Sequence, residues 1–280
     1  MVPHSTRVTR AGGQSSSHEP SHITERLLPM NLKQQLRTQW TEHVQDWIRE
    51  DQWIRTGMLD SWMLESLGDV AGRRVLDIGC GEGRFCRVLA GLGAHVTGID
   101  LTEPLIEQAN ALASESETYL VGNAEDLAGV EDESFDLAVS YIVLVDIHDY
   151  RRSIQAAYRV LRPGGRFIVC NIHPMRMAQP NGWVKQGDRK LFYAIDNYTD
   201  EGPREFEWWG ETFINMHRTL SSYISAFLEA GFVLDGLHEP TPSDAQLAAN
   251  PAFADEFRVP NFIIYALRKP AVEKAYQTSR

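Results

Sequence analysis

Cysteine is scarce: Cys80, Cys86 and Cys170 are the only three in 280 residues. An odd number at no metal-ligand spacing excludes a disulfide framework and suits a reduced, cytoplasmic protein. Long apolar runs are missing too. None approaches the roughly 18 to 20 uninterrupted apolar residues that cross a bilayer, so no membrane partner is expected. Basic charge is in deficit, with 27 Lys and Arg against 38 Asp and Glu and a formal net charge of -11. A protein that neutralises phosphates needs a concentrated basic surface. Here charges of both signs are scattered, and nucleic acid is not an expected partner. Metal-ligand clusters are absent from the sequence, and metal independence is expected. Apolar clustering is also absent from residues 1–29, which are rich in Ser, Thr, Gly, Pro and His. Such a segment cannot bury enough surface to offset the entropy of ordering, and a disordered tail is expected there.

From Asn31 to Gly68 apolar residues recur at helical spacing, among them Leu32, Leu36, Trp40, Trp47, Met58, Leu59 and Met63. They predict two or three helices, interrupted near Thr56-Gly57, as an N-terminal cap over 30–70. After Gly72 short apolar runs alternate with helical stretches. Strands are predicted over 73–78, 95–99, 118–121, 135–141 and 165–171, with helices over 84–92, 103–113 and 151–161. Strands apolar on both sides, taking turns with helices, imply a parallel sheet covered on both faces. Residues 174–217 break this rhythm. Trp183, Phe192, Tyr193, Tyr198, Phe206, Trp208 and Trp209 stand there among Gly, Pro and charges. The segment is too aromatic for a linker and too irregular for another βα unit, and reads as a cap insertion. A helix over 220–230 and strands over 232–237 and 262–267 complete a domain over 71–270, followed by a tail over 271–280.

The run Val75-Leu76-Asp77-Ile78-Gly79-Cys80-Gly81-Glu82-Gly83-Arg84 carries the most information. A strand enters a glycine-rich turn that opens a helix, the geometry by which a Rossmann-like domain brings a nucleotide to its backbone. Side chains in such a turn would block the ligand or forbid the dihedrals. Two details argue against a dinucleotide. Arg84 stands where the phosphate fingerprint wants a third glycine, and Asp77 would repel a pyrophosphate. A carboxylate there suits a ligand bearing an ammonium and a sulfonium. Asp100 ends the next strand, about twenty residues on, where an acid accepts hydrogen bonds from both ribose hydroxyls. It could equally cap the helix that begins near Glu103.

The run from Val75 to Ala90 resembles the first motif of class I S-adenosylmethionine-dependent methyltransferases, and the other motifs follow in order. Gly122-Asn123-Ala124-Glu125-Asp126-Leu127 is similar to the adenine-binding motif. Phe135 to Ser140 is similar to the fourth strand, and Leu161-Arg162-Pro163-Gly164-Gly165-Arg166-Phe167 to the turn into the fifth. The likeness covers about Asn31 to Arg268. His173-Pro174, His217 to Ser221 and Glu239-Pro240 resemble a bacterial small-molecule branch, methyltransferase type 11-like.

The resemblance implies an α/β fold: a Rossmann-like seven-stranded, mostly parallel sheet with helices on both faces, an N-terminal helical cap and an aromatic insertion after strand five. It implies S-adenosyl-L-methionine as cofactor, leaving as S-adenosyl-L-homocysteine. The expected reaction is methyl transfer to an oxygen or nitrogen of a small, aromatic or apolar metabolite, as in secondary metabolism. Asp77, Gly79, Cys80 and Gly81 would surround the methionine part, Asp100 the ribose, and Leu101 the adenine face. Asn123, Ala124 and Glu125 would read the adenine edge, with Ser140 completing the cofactor set. Relatives most often carry Asp where this chain has Asn123, and an amide can still hydrogen-bond the adenine amino group. The rival readings are carbon or carboxyl methylation, a cofactor-binding protein without turnover, and a nicotinamide-dependent oxidoreductase, which Asp77 and Arg84 disfavour.

Ligands of parallel α/β sheets gather beyond the carboxyl ends of the strands. The catalytic candidates there are Tyr141, Asp146 and His173. Ser140-Tyr141-Ile142-Val143 lacks the Asn-Pro-Pro-Tyr of relatives that methylate nucleic acid or protein glutamine. Asp146 takes the place of one of the paired histidines in many small-molecule relatives. It either orients or deprotonates an acceptor, or caps the helix near Tyr150. His173 is either a base of near-neutral pKa or a histidine tied to backbone at a strand exit. His217 reads as structural. Arg55 either binds the cofactor carboxylate or pairs with Asp51. Trp40, Trp47 and Trp53, with the insertion, would close over the cleft and exclude water. A strong base is not required, because the sulfonium is already activated and in-line positioning supplies much of the catalysis. No sequence feature sets the oligomeric state, and a homodimer is compatible with it.

Overall fold

The computed structural model describes residues 28–50, 52–179 and 181–271. The expected tails over 1–29 and 271–280 lie outside the described residues, apart from 28, 29 and 271. The chain opens with α1 (Leu28–Glu42), α2 (Val44–Arg49) and α3 (Asp60–Leu67). Then come β1 (Arg74–Ile78), α4 (Arg84–Gly91), β2 (His95–Asp100), α5 (Glu103–Ala111) and β3 (Glu117–Val121). β4 (Phe135–Tyr141), α6 (Tyr150–Val160), β5 (Leu161–Ile172) and α7 (Pro174–Met177) follow. The insertion holds β6 (Asn181–Gln186), β7 (Arg189–Ile195), β8 (Gly202–Trp208) and β9 (Glu211–His217). The chain ends with α8 (Leu220–Glu229), β10 (Val233–His238), α9 (Asp244–Ala249) and β11 (Phe262–Arg268). No helix among the described residues is long and apolar enough to cross a membrane.

The central sheet has seven strands in the order β10-β11-β5-β4-β1-β2-β3. Only β11 runs against its neighbours; the other pairings are parallel. This is the Rossmann-like α/β sheet that the sequence predicts. Successive side chains of a strand leave on opposite faces, and β1 shows why its run is apolar throughout. Val75 joins a core with Met63 of α3, Leu89 of α4 and Ile106 of α5. Leu76 and Ile78 join the opposite core, with Ile154 of α6 and Phe227 of α8. The chain passes from β1 to β3 on one side, then returns to β4 on the other. That reversal leaves a crevice beyond the carboxyl ends of β1 and β4.

Two expectations change. The interruption near Thr56-Gly57 is a π-helical turn, Arg55–Leu59, that runs straight into α3. Gly57 lets the Phe253 ring pack close, since a Cβ would stand 3.1 Å from it and the ring would have to shift. The insertion, expected to be irregular, forms two antiparallel hairpins, β6-β7 and β8-β9. Inward Phe213, Asn215 and His217 are buried, and the residues between them are less so. That period of two identifies a strand, but three different residue types carry it.

Asp77 points from β1 toward α4 and is 2% exposed. Its Oδ2 accepts a hydrogen bond from Cys86 Sγ at 3.2 Å, and its Oδ1 has no protein partner. Burial pushes this carboxyl from 3.8 up to about 6. The native state therefore binds more protons than the unfolded state between those values, and stability falls as pH rises through that window. Asp77→Asn removes the dependence. In urea unfolding without ligand, the variant is expected to match the parent near pH 4 and exceed it at pH 8, by up to about 3 kcal/mol. An equal difference at both pH values would refute the assignment.

Gly79 lies at φ +76, and a Cβ there would stand 2.4 Å from Val143 Cγ1. Gly79→Ala is expected to cost about 1–2 kcal/mol for the left-handed backbone, and more for the overlap. Adding Val143→Ala should recover only the second part. Full recovery in the double variant would show that the backbone is not strained.

Candidate active site

The crevice at the reversal opens into a cavity of about 950 Å³. Its floor is the turn after β1, where Gly79, Gly81 and Gly83 all adopt positive φ. The Gly79 and Cys80 N–H groups both donate to Ile99 O, at 2.7 and 3.1 Å, closing the turn against the end of β2. Asp100 completes the closure. Its Oδ2 accepts from Gly81 N at 3.0 Å and its Oδ1 from Thr102 N at 2.8 Å. Burial raises this carboxyl above the ordinary value. Each oxygen keeps a further lone pair for a ligand.

The next wall follows β3. Asn123 Oδ1 accepts from Glu125 N at 3.0 Å, a local turn that sets both residues at the rim. Glu125 is buried, paired with Lys33 of α1, and accepts from Asp149 N at 3.2 Å. Burial alone would raise its carboxyl, yet Lys33 and the Asp149 N–H outweigh that and hold it below the ordinary value.

The opposite wall follows β4 and is strained. Ile142 has φ +60, an outlier for a β-branched residue. Its N–H donates to Cys170 O at 2.8 Å. The insertion then pins the loop. Met216 N donates to Val145 O at 2.6 Å, and Asn215 Nδ2 donates to Asp146 Oδ1 at 2.6 Å. The buried Arg218 guanidinium donates to the carbonyls of Leu144, Ile147 and His148. Asp146 does not cap α6, since Asp149 does so by accepting from Arg152 N. Burial pushes the Asp146 carboxyl up to about 7.

The N-terminal helices form the roof. Trp47 Nε1 donates to Glu82 Oε2 at 2.7 Å and lies against Gly81. Tyr141 Oη donates to Asp60 Oδ1 at 3.0 Å, and Arg84 grips the same carboxylate at 2.7 and 3.0 Å. Gln52 Oε1 joins Arg84 to Arg55, accepting from each at 3.1 Å. The Arg55 guanidinium stands 4.8 Å from the Trp47 ring centroid and 5.2 Å from that of Tyr141. It makes no ion pair among the described residues, and Asp51 lies outside them. A cation this enclosed without a carboxylate calls for an anionic ligand.

The structure thus brings Gly79, Cys80, Gly81, Asp100, Leu101, Asn123, Ala124, Glu125, Tyr141 and Asp146 onto one cavity. Asp77 and Ser140 stand behind its wall, both buried, and Ser140 Oγ has no protein partner. His173 is not brought to the cavity. Its Nδ1 accepts from Met175 N at 3.1 Å, and its Nε2 faces Glu239 Oε1 at 3.1 Å. The ring is 3% exposed, and burial lowers its pKa. His217 is likewise enclosed, with Nε2 donating to the Tyr198 carbonyl at 2.8 Å. Among the described residues, no three or more His, Cys, Asp or Glu side chains converge as metal ligands.

A second cavity of about 330 Å³ adjoins the first, and Trp40, Trp47, Arg55, Ile142 and Asp146 line both. Sequence reasoning missed Lys33, Asn215 and Arg218. It read Arg84 only as a missing glycine, whereas Arg84 binds Asp60 and Gln52. The proximity of Asn215 and Arg218 to His217 was the one signal available.

A family model for the methyltransferase domain matches residues 76–169. The crystal structure of an S-adenosylmethionine dependent methyltransferase from Mesorhizobium loti is 34% identical, with a TM-score of 0.68 over 74% of this chain and 96% of that one. A ubiquinone biosynthesis O-methyltransferase from Xanthomonas oryzae pv. oryzae is 39% identical over 108 residues, 38% of this chain and 45% of that protein. An arsenite methyltransferase from Mus musculus is 36% identical over 115 residues, 36% of this chain and 31% of that protein. The chain therefore spans less than half the length of these two curated relatives. The Mesorhizobium likeness runs nearly the length of that protein. On that ground the chain belongs to the class I S-adenosylmethionine-dependent methyltransferases, enzymes whose cofactor is S-adenosylmethionine.

Proposed function

We propose that this enzyme methylates an oxygen or nitrogen of a small, aromatic or apolar metabolite in a reducing, cytoplasmic setting. The observation that carries the reading is the meeting of two cavities at Asp146, one over the glycine turn and one walled by aromatic rings. In this reading Gly79, Cys80 and Gly81 hold the methionine part, and Arg55 pairs with its carboxylate. Asp100 accepts the ribose hydroxyls. Leu101 lies against the adenine, and Asn123, Ala124 and Glu125 take its edge. Asp77 contributes charge from beneath the turn, and Ser140 backs the wall.

When bound, S-adenosylmethionine supplies a sulfonium methyl group whose S–C electron pair leaves on sulfur. The chain's own part is to hold the acceptor, exclude water and receive a proton. Trp40 and Trp47 cover the junction, so interactions inside are strengthened by the low dielectric. Asp146 is the proton acceptor there, and Tyr141 fixes the wall through Asp60. His173 has no part in the chemistry, because both ring nitrogens are engaged elsewhere. The names of the Xanthomonas and Mus musculus relatives, which refer to small acceptors, support the choice of substrate class.

Calorimetric titration tests the assignments. Asp100→Ala is expected to weaken S-adenosylmethionine and S-adenosylhomocysteine by about ten- to hundredfold. Arg55→Ala should weaken both by a similar factor, yet leave 5′-methylthioadenosine, which lacks the carboxylate, unchanged. Equal loss for all three ligands would remove Arg55 from the carboxylate, and full-strength binding by Asp100→Ala would remove Asp100 from the ribose.

A further inference from the structure

We infer that the smaller cavity takes the acceptor as an amine, a primary or secondary ammonium on an aromatic or apolar body, with its nitrogen set against Asp146 and Asn215. The inference rests on the methyl-transfer reading and narrows its acceptor to nitrogen.

The walls come first. Trp40, Trp47 and Trp208 pack edge to face, with centroids 5.3 Å apart for the first pair and 6.1 Å for each of them with Trp208. Trp53 and Phe206 line the same space. Indole faces attract cations as well as flat apolar bodies, and the attraction strengthens where water is excluded. Charge points the same way. The ionisable lining residues are Glu50, Asp146 and Glu207 against Arg55 alone. Arg55 also lines the larger cavity, where the carboxylate of the methionine part answers its charge. The acceptor is left facing a surplus of negative charge, which favours an ammonium and repels a carboxylate.

The junction adds a hydrogen-bonding argument. Asn215 is 5% exposed and gives its Nδ2 to Asp146 Oδ1 at 2.6 Å. Its orientation is forced, since a carbonyl oxygen facing a carboxylate would be repelled. The amide therefore turns its carbonyl away from Asp146. The Trp40 side chain also lies beside Asp146 and favours its charged form. What remains toward a ligand is acceptor capacity on both residues. A hydroxyl has one hydrogen to offer them and a carboxylate none, whereas an ammonium has two or three. Asp146 then takes one of these protons. The N–H electron pair stays on nitrogen as its lone pair, an O–H bond forms on the carboxyl, and rotation about the C–N bond turns that lone pair toward the larger cavity. Burial has already raised this carboxyl to about 7, which suits it to that exchange near neutral pH.

The test uses the full chain saturated with S-adenosylhomocysteine and four probes: benzylamine, 2-phenylethylamine, 2-phenylethanol and phenylacetate. Calorimetry reads binding, and mass spectrometry reads methylated product when S-adenosylmethionine replaces the homocysteine form. Both amines are expected to bind about tenfold more tightly than the alcohol, with no binding of phenylacetate and methylation only on nitrogen. Asp146→Asn should abolish the preference for amine over alcohol while still binding S-adenosylhomocysteine. The panel on the parent decides the matter should that variant not fold. An alcohol that binds as well as the amines, or amines that do not bind to cofactor-loaded protein, would overturn the inference and leave methyl transfer standing. Failure of the parent to bind S-adenosylhomocysteine would instead count against methyl transfer itself.

Discussion

A chain that leaves β1 for one edge of a sheet and returns beside it as β4 creates a gap that its own crossovers cannot cover. Backbone N–H groups, a carboxylate and two loops all end at that gap. The rest of the molecule is arranged around it. The glycine turn needs a floor, which Ile99 and Asp100 supply from β2. The loop after β4 needs to be held in a costly conformation, which β9 and Arg218 accomplish. The opening needs a roof, and α1, α2 and the second hairpin of the insertion provide it. These covering pieces are themselves joined. Gln39 of α1 exchanges a pair of hydrogen bonds with the backbone of Ile214, both at 3.0 Å. Its amide behaves there as a short extra strand beside β9.

The charges follow a consistent order. Arg84 is neutralised by Asp60, and Lys33 by Glu125, whereas Arg55 has only a glutamine and two aromatic faces. Paired cations fasten the cap to the domain, and the remaining one faces the ligand space. The acids divide in the same way. Asp60 and Glu125 are satisfied within the protein. Asp77 and Asp146 are held above their ordinary pKa by burial, a condition that ligand binding is suited to relieve.

The sheet was legible because its inner strands β1, β4, β5 and β11 repeat one physical signal, apolar residues buried on both faces. The floor of the larger cavity was legible for a related reason: Gly79, Gly81 and Asp100 sit close together in sequence, and backbone geometry dictates their types. The wall of the smaller cavity was not. Asn215 meets Asp146, and Arg218 the carbonyls of Leu144, Ile147 and His148, across some seventy residues of sequence, and neither residue type is unusual where it stands. His173, read either as a base or as a tied side chain, is the converse case. A histidine at a strand's carboxyl end looks like chemistry, yet one ring nitrogen caps α7 and the other faces Glu239. Local sequence cannot reveal that a side chain is already engaged. The hairpins of the insertion were hidden because their alternating residues differ so much in kind.

Trp47 belongs to both cavities at once. It lies over the glycine turn, tethered to Glu82, and it stands in the aromatic wall beside Trp40 and Trp208. An indole in that position is a shared partition: whatever displaces it reshapes both spaces together, so neither can be remodelled alone.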